Sequence, residues 1–310
     1  MGLCGPQNDL PFHMQPRKGE VGKMVTKKRL GERRIRMAII TLSRELGSLG
    51  TEIADMLSSS LGYSKLDKDS LEVLLKELGM TEKQFEQDDE KQPGFWEQFT
   101  LQKFRYIDFM KAAMYRFAAE KDCIVVGRGA NIIFRGVPGT LRLRIIAPRE
   151  VRVARLRERL DIDEQHALHL IHQSDQDRAG YHKYFFNAIW DSSANYDLVV
   201  NTAGISPAET CDAVLALLRS STYAGAGGLA RNILHNLRIA QDVLMAILYR
   251  ERILVLSLEV VCKDGVVTLD GAVRSQATLE LCVKIASAVK GVTKVVNNLN
   301  VVEYAYYSTV

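Results

Sequence analysis

The sequence predicts an α/β domain, a parallel sheet covered by helices, followed by a small α+β domain. Three observations carry this reading. Short β-branched apolar runs alternate with stretches of helical periodicity from Met37 to Leu218. A run of small residues, Ser220 to Gly228 (SSTYAGAGG), interrupts that alternation. Beyond it, Lys263-Asp264-Gly265 joins two strand-like runs, and an Asp-Gly pair supplies the positive φ of a tight hairpin.

Taken in order, Met37 to Leu42 (MAIITL) reads as a buried strand entering a turn that carries Ser43, Arg44 and two glycines. From Thr51, the apolar positions Ile53, Ala54, Leu57 and Leu61 recur at helical spacing up to Gly62, a natural C-terminal cap. Ser70 to Leu78 reads as a second helix. After a polar stretch from Thr81 to Gly94, an amphipathic helix is expected near Phe99 to Ala119, with Phe99, Phe104, Ile107, Met110, Met114 and Phe117 facing the core. Cys123 to Val126 and Leu141 to Ile146 read as buried strands, Pro148 opens a helix ending at Leu160, and Leu198 to Asn201 is the last strand before a helix over Ala208 to Leu218. Strands alternating with helices imply a parallel sheet with both faces covered. The second domain is expected as a helix (Leu229 to Tyr249), strands at Leu254 to Val261 and Val266 to Leu269, a helix (Gln276 to Val289) and a strand (Lys294 to Val302). The expected divisions are a basic, disordered arm over 1–35, the α/β domain over 36–219, a flexible linker over 220–230 and the α+β domain over 231–304.

Composition limits the function classes. Apolar residues make up 47% and charged residues 25%, which is enough for a real core. No stretch approaches the roughly 18 uninterrupted apolar residues of a membrane span, and Pro6, Asp9, Pro11 and Pro16 break any signal-like run, so a cytoplasmic chain is expected. The five cysteines show neither CxxC nor CxxH spacing, and they read as reduced thiols rather than a zinc or disulfide set. From Arg17 to Arg36, nine Lys or Arg stand against Glu20 and Glu32, a solvated arm that also suits an anionic surface, including peripheral placement at the inner membrane face. His166, His169 and His172 recur three apart on one helix. No carboxylate or cysteine completes a ligand set, so they read as a helix face.

The turn after the first strand is the chemical signal. A strand-to-helix turn offers unpaired backbone N–H groups at the positive end of a helix, which suits phosphate. Set against the standard G-x-x-x-x-G-K-[S/T] loop, Arg44 stands at the first glycine, Leu49 at the second and Gly50 at the lysine, while Thr51 keeps the metal-linked hydroxyl. The missing lysine removes a cation that normally neutralises the transferring phosphoryl group. Arg44 is the nearest candidate to supply charge instead, though a guanidinium is not an equivalent point charge.

Five further segments follow in the order found in cytidylate kinases, and with the loop they span about Arg36 to Leu218. The chain resembles the divergent cytidylate-kinase-like family, of the P-loop nucleoside-monophosphate-kinase type, whose loop often reads SR-x-x-GS-x-G without lysine; here it is Ser43 to Gly50. Lys65-Leu66-Asp67 is similar to the family's LD at the end of the next strand, with Val73 where those enzymes carry an arginine. Val126 to Phe134 (VGRGANIIF) is similar to GRD-x-G-x-x-VF, which implies that Arg128 contacts the acceptor phosphate; Val126 and Gly129 replace acidic residues, so no cytidine-specific contact is implied. Pro148 to Leu160 places Arg152, Arg155 and Arg159 on one flank, where the family's lid arginines clamp phosphates. On spacing alone, pairing with Glu158 or Asp161 explains that flank equally well. Ser174 to Phe186 resembles the D-x-x-R lid with its aromatic run, and Tyr196 to Thr202 resembles the YDL-x-x-N strand.

From about Asn232 to Glu303 the chain resembles a BON domain, through Asp264 to Gly271 (DGVVTLDG) and Val289 to Asn297 (VKGVTKVVN). In that family the role is binding, often at phospholipid surfaces, and there are no catalytic residues to carry over.

Together the resemblances imply phosphoryl transfer from ATP or another NTP, with Mg²⁺, to a small acceptor. Arg44, Gly47, Ser48, Gly50 and Thr51 are the expected nucleotide-binding residues, with Thr51 also at the metal. Asp67 and Arg128 are expected to hold the acceptor, and Arg155, Arg159 and Arg178 to spread over the developing charge. Arg178 is the first candidate for transition-state stabilisation. A second reading, motivated by the absent lysine, Val73 and Val126, is a nucleotide sensor without chemistry that relays occupancy to the C-terminal module. An anionic lipid or protein partner is expected at the BON-like module and arm, and no specific nucleic-acid site.

Overall fold

The computed structural model describes residues 39–81 and 100–302, with the side chains of 100–102 left out. The basic arm over 1–35, Phe99 and most of the polar stretch before it lie outside the described residues. The first sheet is built from β1 (Ile39–Arg44), β2 (Ser64–Leu66), β3 (Cys123–Val126), β4 (Thr140–Ile146) and β5 (Leu198–Asn201) in the order β2-β3-β1-β4-β5. All four strand pairings are parallel. Every C-terminal strand end therefore opens onto one edge, where α/β sheets carry their ligands.

Alternation along the strands assigns the two faces. Ile40 and Leu42 of β1, with Ile124 and Val126 of β3, face α1 (Gly50–Leu61), which contributes Ile53, Ala54 and Leu57. Ile39, Cys123 and Val125 point the other way, into a core with Leu71 and Leu75 of α2 (Lys68–Glu77) and with α3 (Thr100–Glu120). The short α4 (Ala130–Ile133) packs on that second face. Two further helices, α5 (Arg149–Leu160) and α6 (Glu164–Phe186), meet through Val153, Leu156, Ala167 and Ile171, and α7 (Pro207–Leu218) returns to the first face through Cys211, Val214 and Leu218. Gly62 caps α1 in the left-handed conformation, as expected.

Three expectations are corrected. Phe104 is exposed at 57%, because α3 presents Tyr106, Phe109, Met110, Ala113 and Met114 to the core and Phe104 falls on the opposite side of the turn. Pro148 precedes the helix with extended backbone (ψ 147°) instead of forming its first turn. Segment 220–230, expected to be flexible, is largely helical: α8 (Ser221–Ala224) is followed by α9 (Gly227–Met245). Packing of an amphipathic face overrides the weak helical propensity of such a sequence, and here Ala230 and Leu234 are buried in the α3 core.

The second sheet has the order β6-β7-β8, with β6 (Leu256–Lys263) antiparallel to β7 (Val266–Val273) and β8 (Lys294–Val301) parallel to it. Asp264 and Gly265, at φ 50° and 82°, make the expected hairpin turn. One face is closed by α10 (Gln276–Ala288), through Cys282 and Ala286, and by Ile239 and Val243 of α9. Helix α9 is thus apolar on two sides, closing this small core and, through Ala230, Leu234 and Met245, the α3 core as well.

Polar contacts fasten the same junction. Arg116 on α3 meets Asp242 at 2.7 Å, and Tyr249 Oη donates to Asp108 Oδ2 at 2.7 Å. Burial pushes the Asp108 carboxyl above its ordinary value, although the Tyr249 hydroxyl and Lys111 pull it partly back. A raised folded-state pKa stabilises the fold at pH below the ordinary value of 3.8, and that contribution is lost as pH rises through the raised value. Asp108→Asn is therefore expected to gain stability relative to wild type at pH 7 compared with pH 4, as measured by urea unfolding at both pH values. An equal difference at the two would contradict this. No helix among the described residues is long and apolar enough to cross a membrane.

Candidate phosphate site

Ser43 and Arg44 close β1 instead of lying in the turn, so the loop proper is Glu45 to Leu49. It is held by its own backbone: Ser48 N–H and Oγ both donate to Glu45 O, at 3.3 and 2.9 Å. Gly47 is left-handed (φ 80°) and lies against α5, where a Cβ would come within 3.1 Å of the Arg152 carbonyl oxygen. Leu49, at the standard loop's second glycine, is also left-handed (φ 63°), a conformation that costs a non-glycine residue on the order of 1 kcal/mol. No side chain caps the N-terminus of α1. By helix geometry its first backbone N–H groups have no acceptor within the helix and lie at the positive end of its dipole.

In front of this turn lies a cavity of about 430 Å³. It brings together Arg44, Gly47, Gly50, Thr51, Arg155, Arg159 and Arg178, drawn from β1, the loop, α1, α5 and α6. These residues were expected to share a site. Their states differ. Arg155 donates to Gly47 O (3.2 Å), to Thr202 Oγ1 (2.9 Å) and to Thr202 O (2.6 Å), so it braces the loop against the segment after β5. Arg159 is exposed and stands 3.8 Å from Glu52. Arg178 lies 5.9 Å from the Trp190 ring centroid, within reach of a favourable cation–π contact. Ser48 is fully buried: its hydroxyl and N–H both donate to Glu45 O, and its carbonyl accepts from Thr202 Oγ1 at 2.9 Å, so it holds the loop's shape and does not line the cavity.

Besides Ser48, two expected residues, Arg128 and Asp67, lie outside this cavity's lining. Arg128 is buried with φ 52° between Gly127 (77°) and Gly129 (69°), its guanidinium 5.7 Å from the Tyr181 ring centroid. The Tyr181 hydroxyl bonds in turn to that of Tyr106 on α3 at 3.3 Å. Gly129 is required on two counts, since a Cβ there would overlap the Phe186 ring in addition to the strained backbone. Asp67 caps α2, accepting from Ser70 N–H at 3.1 Å and pairing with Lys65 at 3.4 Å. Burial works against its ionisation, but the Ser70 and Lys65 contacts outweigh that and hold it below the usual carboxylate value.

Arg152, read at first as one of three phosphate clamps, is turned inward. It makes a two-pronged pair with Asp175 on α6, at 3.0 and 2.6 Å, and lies 3.7 Å from Glu45. Neither Glu158 nor Asp161 is its partner in this pairing. Glu45 is the residue that sequence reasoning missed. Its carboxylate accepts from Arg144 (3.2 Å) and from Ala147 N–H (3.1 Å), binding the loop to the end of β4. Arg144 in turn stacks 4.2 Å from the Trp190 ring centroid and donates to Trp190 O at 3.1 Å, while Trp190 Nε1 donates to Ser43 Oγ at 2.9 Å. An arginine inside the strand run TLRLRII was the available signal, because a buried guanidinium demands a carboxylate partner. His166, His169 and His172 are exposed on α6, and the described residues contain no group of three His, Cys, Asp or Glu arranged to hold a metal.

No curated protein matches the chain. Among solved structures, an uncharacterized protein from Eubacterium ventriosum is 22% identical with a TM-score of 0.47, over 59% of this chain and 99% of its own. Shikimate kinases from Acinetobacter baumannii, in complex with shikimate, and from Bacteroides thetaiotaomicron are each 14% identical, with TM-scores of 0.33 and 0.35. Each match spans 59% of this chain, with 93% and 99% of the respective kinase. Residues 236–303 match the BON domain model, and residues 39–204 match the model of the cytidylate kinase-like family. With more than half of its length so matched, and with the lysine-free loop and parallel sheet in place, the chain belongs to the cytidylate kinase-like family and carries a C-terminal BON domain.

Proposed function

We propose that this protein is a phosphotransferase that moves the terminal phosphoryl group of a nucleoside triphosphate to a small acceptor such as a nucleoside monophosphate. The observation that carries the reading is the gathering of four arginines, Arg44, Arg155, Arg159 and Arg178, in the lining of one cavity at an uncapped helix N-terminus, where they outnumber Glu45, Glu52 and Glu158. Backbone donors and cations gathered around one volume are what phosphoryl transfer requires, since the protein's task there is positioning and charge stabilisation.

In this reading the backbone at Gly47 and Gly50 holds the donor phosphates, on a loop whose shape Ser48 fixes. Arg155, already spent on Gly47 and Thr202, keeps the loop in place, while Arg159 and Arg178 approach the transferring group. Arg128 holds the acceptor and Asp67 shapes its side of the site. The residues fit a magnesium triphosphate: Thr51 is exposed on the first turn of α1 and lines the cavity, so its hydroxyl would hold Mg²⁺ together with phosphate oxygens. When bound, the ion would neutralise phosphate charge. The BON module is read as a regulatory or surface-binding unit for an anionic lipid or a protein, and the cell interior as the setting.

Gly50 at the lysine position keeps the nucleotide-sensor reading in play. Triphosphate consumption measured against a panel of monophosphates and other small acceptors separates the two. Consumption that depends on one acceptor is the expected result, whereas nucleotide binding with no consumption on any acceptor would establish the sensor in its place.

A further inference from the structure

We infer that Arg44 takes over the place and the charge of the missing loop lysine, and that it serves the donor and acceptor sides together. This rests on the phosphotransferase reading above and deepens it. The spatial argument begins at Gly50, the residue at the lysine position. A Cβ there would overlap Arg44 Cβ and stand 2.9 Å from Arg44 Cγ, so the arginine stem already occupies the volume that a lysine stem would leave by. A side chain at 50 and a side chain at 44 exclude each other, so a lysine at 50 goes with a glycine at 44, as in the standard loop. The sequence change at one position thereby accounts for the change at the other.

The far end of Arg44 points to the acceptor side. A Cβ on Gly127 would come 2.7 Å from Arg44 Nη1, which puts the guanidinium against the backbone of the turn that carries Arg128. Its stem is fixed by the sheet, because Arg44 is in register with Ile145 of β4 and the next residue, Glu45, donates its N–H to Ile145 O at 3.1 Å. Arg44 also lines the phosphate cavity beside Gly47, Thr51 and Arg178. One rigidly rooted cation thus spans from the donor cavity to the Gly127–Arg128 turn.

That is where charge develops in the proposed reaction. An oxygen of the acceptor phosphate bonds to the γ-phosphorus as the bond to the β,γ-bridging oxygen breaks, and the electron pair leaves with the nucleoside diphosphate. A dianionic acceptor has no proton to lose in this step. Arg44 is placed to meet the non-bridging oxygens shared between the two sides, and a planar guanidinium can contact two of them at once.

The test uses the full chain, with MgATP as the probe and the acceptor that gives the fastest wild-type turnover. Arg44→Ala is expected to lower kcat by about 10²- to 10³-fold, the loss typical of one preorganised transition-state donor. Gly50→Lys alone is expected to be as impaired, and Arg44→Gly combined with Gly50→Lys to recover at least tenfold over Gly50→Lys. Turnover of Arg44→Ala within twofold of wild type, or a double variant no better than Gly50→Lys, overturns the exchange. A urea-unfolding cycle reads the packing half without any activity: Gly50→Ala should lower the midpoint in wild type and not in Arg44→Gly, where the clashing Cβ is gone, and an equal drop in both overturns the mutual exclusion. Wild type that binds no triphosphate by calorimetry overturns the phosphotransferase reading and the catalytic half of this inference, while the unfolding cycle still decides the packing half.

Discussion

Replacing Arg178 with alanine is expected to cut turnover by about 10³- to 10⁵-fold with little change in thermal stability, the range seen when a cation that meets phosphoryl-transfer charge is removed. The side chain is placed for this. Arg178, on a 23-residue helix, lines the cavity in front of the loop and lies 5.9 Å from the Trp190 ring centroid. The helix itself is secured by other groups, namely Ala167 and Ile171 against α5 and the buried Tyr181 and Phe185 near its end. Truncating one side chain between two anchored stretches should leave the helix in place. Measuring kcat at saturating donor and acceptor, with a melting curve for the same preparation, checks both halves. Unchanged turnover would remove Arg178 from the mechanism, and a collapsed melting temperature would show that it is structural.

The second large effect is expected on stability. Asp175→Ala leaves the Arg152 guanidinium, 7% exposed, without its two-pronged partner. Removing one member of a buried ion pair typically costs 3–5 kcal/mol, because the remaining charge is stranded away from water. Asp175 is 29% exposed and Glu45 stays within 3.7 Å, so the lower end, about 3 kcal/mol, is expected. Urea unfolding with an unchanged slope measures it. A loss under about 0.5 kcal/mol would class the pair with exposed salt bridges, which contribute little, and would take away the link between the loop and α6.

Much of the fold was legible because its signals are local. The strand at Cys123–Val126, the strand at Leu198–Asn201 and the Asp264-Gly265 turn fall where apolar runs and turn chemistry put them. The misread positions are those that long-range packing decides. Phe104 fits a helical stripe in sequence, but which flank of α3 meets the sheet depends on residues far along the chain. The small residues near 220–230 carry no helical signal of their own, and α9 is ordered by burying Ala230 and Leu234 under α3. In the site, the loop and its arginines could be picked out from their order in the chain, whereas the partners could not. Arg152 and Arg155 are three apart on one helix, yet one turns to Asp175 and the other to Thr202, more than 20 residues away in each case. The role of Glu45 is not legible locally, because its partners Arg144 and Arg152 are brought to it by β4 and α5 from about 100 residues along the chain. The same holds for Gly50, whose lost lysine reads as damage in the sequence and as an occupied volume in the structure.

The account depends on one physical claim, that loop amides and arginines gathered from separate elements hold a polyphosphate without the usual lysine. Calorimetric titration of the wild-type chain with magnesium complexes of ATP, GTP, CTP and UTP tests it most directly. Saturable binding of at least one of them, with Kd below 1 mM and weakened by Arg44→Ala, is the predicted result, and no association with any of the four at millimolar concentration would contradict it.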